Sequence, residues 1–148
     1  MIIKCKRIVT EDGIVDGYLE IEGKKIKRIT QREIGPVDVD ASQYRIIPGI
    51  FDTHNHGTMG YAMMSAVSDD EANVRGYLKG LASQGVTAIL PTAEFELFPV
   101  IAKVSKEEND GAKIIGIHSE GPYLNRVGEK AIDTGHPDIS LDHLQAMI

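Results

Sequence analysis

Short apolar and polar runs broken by turn residues occupy the chain from Met1 to about Ile29: Ile2 to Val9, Glu11-Asp12-Gly13, Ile14 to Glu22, Gly23-Lys24, and Lys25 to Ile29. Runs of this length with such breakers predict a β meander. Periodicity is lost from Gln31 to Tyr44, which contains Gly35-Pro36. Arg45 to Phe51 is then apolar enough to predict a strand buried on both faces. A boundary is therefore expected near residue 45, separating a small β portion over residues 1–45 from a second region over residues 46–148.

Beyond the boundary, strand patterns alternate with helix patterns. Ser68-Asp69-Asp70-Glu71 fits a capping box, in which Ser68 and Glu71 would reciprocally satisfy free amides while the acids favour the positive helix end. Val74, Leu78, Leu81 and Ala82 share one helical face, and Gly85 is suited to close the helix. Val86 to Leu90 predicts a strand, Phe98 to Glu108 a helix with Pro99 in its first turn, and Lys113 to His118 another strand. Strands separated by helices of this length pair in parallel, which makes the region α/β. The three strands, near Ile47, Ile89 and Ile115, are few for a finished domain. Ser140 with Leu141, Leu144 and Ile148 predicts a further helix, and the chain is expected to end inside it.

Composition adds exclusions. Hydrophobic residues make up 42% and charged residues 26% of the 148, enough apolar content to bury a core. The formal net charge of −6 comes from intermixed acids and bases, so no basic stripe awaits a phosphate backbone and nucleic acid is not an expected partner. No apolar run approaches the roughly 18 residues of a membrane helix, and MIIKCKRIVT lacks the apolar core of a signal peptide. A single cysteine, Cys5, excludes an intrachain disulfide and reads as a small core residue, which suits a reducing, cytoplasmic setting.

The candidate chemistry lies at strand ends. In PGIFDTHNHG, running from Pro48 to Gly57, strand alternation would point Asp52, His54 and His56 the same way. Two imidazoles can then converge on a metal, although two histidines that only hydrogen-bond in a loop would give the same motif. In IIGIHSEGPYLN, Glu120 follows His118 at strand spacing before Gly121-Pro122 turns the chain. Glu120 is either the missing carboxylate or an exposed loop acid. Two histidines and a glutamate form a borderline donor set suited to Zn²⁺ or Fe²⁺.

Together these two motifs resemble the amidohydrolase superfamily, and within it the N-acetylglucosamine-6-phosphate deacetylases. The paired-histidine motif is shared across the superfamily, whereas a His-x-Glu-Gly-Pro segment followed by x-Gly-His is characteristic of the deacetylases. The resemblance implies the N-terminal portion of a TIM-type (β/α)8 metal-dependent hydrolase barrel, with the meander forming part of a small β-sandwich domain. It implies metal ligands at His54, His56 and Glu120, and a substrate-binding role for His136 in Asp133-Thr134-Gly135-His136. His118 and residues Pro122 to Asn125 would line the site without binding metal. Ser119 departs from the family, which carries a leucine-like residue there.

The implied reaction is hydrolysis of the acetamide of N-acetylglucosamine 6-phosphate to glucosamine 6-phosphate and acetate, with a divalent metal, Zn²⁺ or Fe²⁺, as cofactor. The partner is a small-molecule amino-sugar phosphate, and family members are usually homodimers. The family's catalytic aspartate, two further histidine ligands and most phosphate-binding residues come from later strands, so this chain alone is expected to be inactive. Two alternatives remain at this level: a dihydroorotase-like cyclic amidase, marked by a carboxylated lysine on a later strand, and a non-catalytic fragment that binds no metal.

Overall fold

The computed structural model describes residues 1–64, 67–119, 126–127, 132–133 and 140–146. Packing divides the chain into Met1–Pro48 and Gly49–Ile148.

The first unit is a four-stranded sheet of β1 (Ile2–Thr10), β2 (Gly13–Glu22), β3 (Lys25–Thr30) and β4 (Val39–Asp40), in the order β3-β2-β1-β4. The first three strands form the predicted antiparallel meander. Their inward residues Cys5, Ile8 and Leu19 are buried, with Ile3, Val15, Ile21, Ile29 and Ile46 packed around them. Cys5 is a core residue whose sulfur lies 3.6 Å from the Tyr44 carbonyl and 3.4 Å from the Arg7 amide. β4 was not expected from sequence. It runs parallel to β1, and the Asp38 carboxylate fixes its start by accepting from the Ile2 amide at 2.6 Å.

The strand predicted over Arg45 to Phe51 does not form in that register. Ile46 belongs to the first sheet: its amide donates to the Arg7 carbonyl and its carbonyl accepts from Val9, both at 2.9 Å. Pro48 has no amide to continue a ladder, and the next strand starts only at Ile50. Burial on both faces is also not found, since Ile47, Ile50 and Phe51 are 55%, 47% and 50% exposed.

The second unit contains β5 (Ile50–Asn55), β6 (Gly57–Thr58), β7 (Tyr61–Ala62), α1 (Asp70–Ser83), β8 (Val86–Pro91), a 3₁₀ turn at Phe95–Leu97, α2 (Phe98–Ser105), β9 (Lys113–Ile114), β10 (Arg126–Val127), β11 (Ile132–Asp133) and α3 (Leu141–Ala146). Strands β5, β8 and β9 form a parallel sheet in the order β5-β8-β9. The strand-helix alternation thus yields the parallel pairing it predicts. β9 is shorter than Lys113 to His118, but the register persists to the end, where His118 bridges Thr92 in parallel. The pairs β6-β7 and β10-β11 are short antiparallel ladders that the sequence pattern did not reveal.

Helix α1 buries Val74, Tyr77, Leu78 and Leu81; of the face expected from spacing, Ala82 is instead exposed, and Tyr77 takes a place in the core. These side chains meet Val86, Ile89, Ile101, Val104 and Ile114 in one core. Each fully buried side chain of this size contributes about 1.5–3 kcal/mol. The helix start corrects the expected capping box: Asp69, not Ser68, is the N-cap, and its carboxylate accepts from the Ala72 amide at 2.9 Å. Glu71 instead faces outward, bonding Arg75 and Lys103. The helix ends as expected, with Gly85 at φ +86 and its amide bonded to the Ala82 carbonyl at 3.0 Å. α2 ends at Ser105 rather than Glu108 and takes Pro99 in its first turn.

Candidate metal centre

The carboxyl ends of β5, β8 and β9 bring three histidines together. His54 and His56 face each other, their Nε2 atoms 3.0 Å apart and their rings at 82°. The ring of His118 stands against His54 with centroids 4.7 Å apart. Register irregularities between Ile50 and Phe51 and between Asp52 and Asn55 interrupt the plain alternation of β5. The Asp52 carboxylate folds back on its own strand, accepting from the His54 amide at 3.1 Å and from Asn55 Nδ2 at 3.2 Å.

Hydrogen bonds orient two of the rings. The Nδ1 of His118 lies 3.0 Å from the Thr53 carbonyl, an acceptor only, so this nitrogen carries the proton. The Nδ1 of His56 lies 2.7 Å from the Met64 sulfur, again an acceptor, which leaves the neutral ring's lone pair on Nε2. That lone pair points at His54. Such outer partners are what select the tautomer of a ligating imidazole.

The donor chemistry fits a divalent ion. Two imidazole nitrogens bound at about 2.0–2.1 Å to one tetrahedral ion lie roughly 3.3 Å apart, close to the 3.0 Å between His54 and His56. A carboxylate from Glu120 and the substrate-side His136 lie outside the described residues. Among the described residues, no group of three or more His, Cys, Asp or Glu side chains is placed to hold a metal. His118 approaches ring to ring and adds no third donor.

Three residues that the sequence reading passed over shape this corner. Asn55, between the two histidines, has a partner at every polar position. Its amide donates to Thr92 Oγ1 at 3.1 Å, and its carbonyl accepts from the Thr92 amide at 3.0 Å and from the Tyr77 hydroxyl at 3.3 Å. Its side chain bonds Asp52 and accepts from the Gly57 amide at 2.9 Å. Thr92 and Tyr77 are both fully buried. Burial, together with the nearby Asp52 charge, holds the Tyr77 hydroxyl well above its usual pKa, so it stays a donor. The one local signal for Thr92 is a hydroxyl directly after the apolar run VTAILP.

Among curated proteins, the chain is 29% identical over 133 residues to N-acetylglucosamine-6-phosphate deacetylase of Vibrio furnissii, covering 85% of this chain and 30% of that enzyme. It also aligns with the crystal structure of N-acetylglucosamine-6-phosphate deacetylase from Thermotoga maritima at a TM-score of 0.63 and 27% identity, covering 100% of this chain and 39% of that one. The chain is similar, in sequence and in fold, to the N-acetylglucosamine-6-phosphate deacetylases. A shorter match, 39% identical over 71 residues, links it to 5-methylthioadenosine/S-adenosylhomocysteine deaminase 1 of Archaeoglobus fulgidus, covering 47% of this chain and 16% of that one. No family model matches. The chain spans 30% of the length of the Vibrio deacetylase and 39% of the Thermotoga one. The histidine cluster sits at the carboxyl ends of parallel strands, where α/β folds gather chemistry.

Proposed function

We propose that this chain is the metal-holding N-terminal portion of an amidohydrolase that removes the acetyl group from an N-acetylamino-sugar 6-phosphate, N-acetylglucosamine 6-phosphate in the first instance. The observation that carries the reading is the 3.0 Å approach of His54 Nε2 and His56 Nε2 at the end of β5. Paired imidazoles there make a chelate, and the deacetylase relatives supply the substrate class.

In this reading, residues 46–148 are the first βα units of a (β/α)8 barrel and residues 1–45 a portion of a small sandwich domain. The exposure of Ile50, Phe51 and Ile115 supports it, because parallel sheets are ordinarily covered on both faces. So does an apolar groove of about 290 Å³ between α2 and the outer edge of β9, lined by Ile101, Ile114, Ile115 and Ile117, where a further strand and helix would pack. A reducing, cytoplasmic setting fits the buried free thiol of Cys5.

His54 and His56 would hold a divalent cation, Zn²⁺ or Fe²⁺, with Glu120 as the carboxylate ligand. A bound ion supplies Lewis-acid polarisation of the acetamide carbonyl and acidifies water for attack on it. His56, its Nδ1 proton turned to the Met64 sulfur, presents its Nε2 lone pair inward. His118 is held by the Thr53 carbonyl and walls the site beside His54. His136 would orient the sugar. No residue of this chain is assigned the proton transfer, which is expected from an aspartate beyond residue 148.

The experiment is acetate release from N-acetylglucosamine 6-phosphate by the protein purified from its native locus, with metal content measured on the same sample. A product heavier than 16.2 kDa that retains divalent metal and releases acetate is expected. His54→Ala and His56→Ala should each abolish both properties. A metal-free product with no deacetylation would overturn the reading.

A further inference from the structure

We propose that Thr92 is a positioning residue that sets the distance between His54 and His56 by clamping Asn55, the residue between them. The inference rests on the metal reading of the two histidines.

Thr92 is fully buried at the end of the central strand β8, where a valine would fill the same volume. Its hydroxyl oxygen instead accepts the Asn55 amide at 3.1 Å, while its own amide donates to the Asn55 carbonyl at 3.0 Å. One residue thus captures both peptide groups that flank Asn55. The clamp holds the far side of a register shift in the β5-β8 ladder, which falls between Asp52 and Asn55 before pairing resumes at Asn55 and Pro91. Without the hydroxyl, one peptide plane of the His54-Asn55-His56 segment loses its anchor.

The clamp also reaches the third histidine. Thr92 bridges His118 in parallel, the His118 amide donates to the Pro91 carbonyl at 2.9 Å, and the Ala93 amide donates to the His118 carbonyl at 3.3 Å. The end of β5 and the segment that follows β9 are therefore registered against the same residue, directly after β8. Tyr77 backs the arrangement from α1 through its hydroxyl on the Asn55 carbonyl. That carbonyl keeps a second donor if Tyr77 is lost, whereas the Asn55 amide has Thr92 Oγ1 as its partner.

The test is zinc affinity of the full chain, measured with Zn²⁺ alone by competition against a chromophoric chelator, for wild type, Thr92→Val and Thr92→Ser. Loss of an outer-shell partner weakens metal binding by about 10–100-fold. T92V is expected to fall in that range with its helical circular dichroism retained, and T92S to return to near wild-type affinity. Co²⁺ absorption should report altered ligand geometry in T92V alone. Equal affinity in T92V and wild type would overturn the inference while leaving the metal reading standing. Wild-type chain that takes up no zinc would overturn the metal reading and this inference with it. Should T92V not fold, hydrogen exchange at the Asn55 amide of wild type decides: protection that deepens on adding Zn²⁺ supports the clamp, and an unprotected amide overturns it.

Discussion

Gly57→Ala offers a sharp test of how the second unit is built around His56. Gly57 opens the β6-β7 ladder, directly after His56, and pairs with Ala62. A Cβ placed there would lie 2.4 Å from the Tyr61 carbonyl oxygen and 3.1 Å from Ala62 Cα, inside the 3.0 Å that real Cβ atoms respect at the first contact. Both neighbours are backbone, so no side chain can swing aside. The ladder must widen by at least about 0.6 Å, and Tyr61 carries the movement onward because its ring rests directly on Gly76 of α1. Overpacking of this kind costs about 1–3 kcal/mol. Far-UV circular dichroism at the helix band reports the second unit, because the described helices all lie there. Urea titration should show a lower midpoint with an unchanged slope. Zinc affinity should fall as well, since the His56 carbonyl is tied to the Met63 amide at 2.7 Å beside the same ladder. A midpoint shift worth less than about 0.5 kcal/mol, the usual surface-substitution range, would refute the reasoning.

Further outcomes follow from the helix cap and the ion pairs. Asp69→Ala should destabilise α1 by about 1 kcal/mol through loss of the bond to the Ala72 amide, while Ser68→Ala should leave the helical melting midpoint nearly unchanged. Glu71 bonds Lys103 at 2.5 Å and Arg75 at 2.9 Å, and Arg75 also pairs with Glu107, so α1 and α2 are tied by charge. The hydrogen bond from Lys103, then that from Arg75, holds the Glu71 carboxyl below its ordinary 4.5, and Lys103 is raised above 10.5 chiefly by Glu71. A carboxyl lowered on folding adds stability above its unfolded pKa and loses it as pH falls through the folded value; a lysine raised on folding loses its share as pH rises through its own. Glu71→Gln should therefore be less stable than wild type at pH 7, and urea midpoints of the two should converge at pH values below the folded pKa of Glu71. High salt should narrow the pH 7 difference, because these side chains are solvent-exposed.

Much of the scaffold was legible because its causes are local. The meander β1 to β3 follows from short runs between Glu11-Asp12-Gly13 and Gly23-Lys24, and the buried stripe of α1 from the spacing of Val74, Leu78 and Leu81. Gly85 at positive φ stops the helix as a residue without Cβ can. The capping box misassigned the N-cap by one residue, since Ser68 and Asp69 are both good caps and only the path of the chain chooses between them. The β6-β7 turn was missed because Met59 adopts φ 53 ahead of Gly60 at φ 88, the pattern of a turn usually signalled by Asn-Gly.

By itself the sequence determined that a parallel α/β region follows a β meander, and that His54 and His56 fall within reach of one another, because strand and helix periods are set by backbone geometry within a few residues. Tertiary structure decided the rest. It moved the first parallel strand from Arg45–Phe51 to Ile50–Asn55, by giving Ile46 to the sheet of the first unit. It folded the Asp52 carboxylate back onto the His54 amide, brought His118 beside the histidines, and set Thr92 and Tyr77 on Asn55 from positions 37 and 22 residues away. Those choices are made by buried donors and acceptors finding partners far along the chain, and such partners leave no period in the sequence.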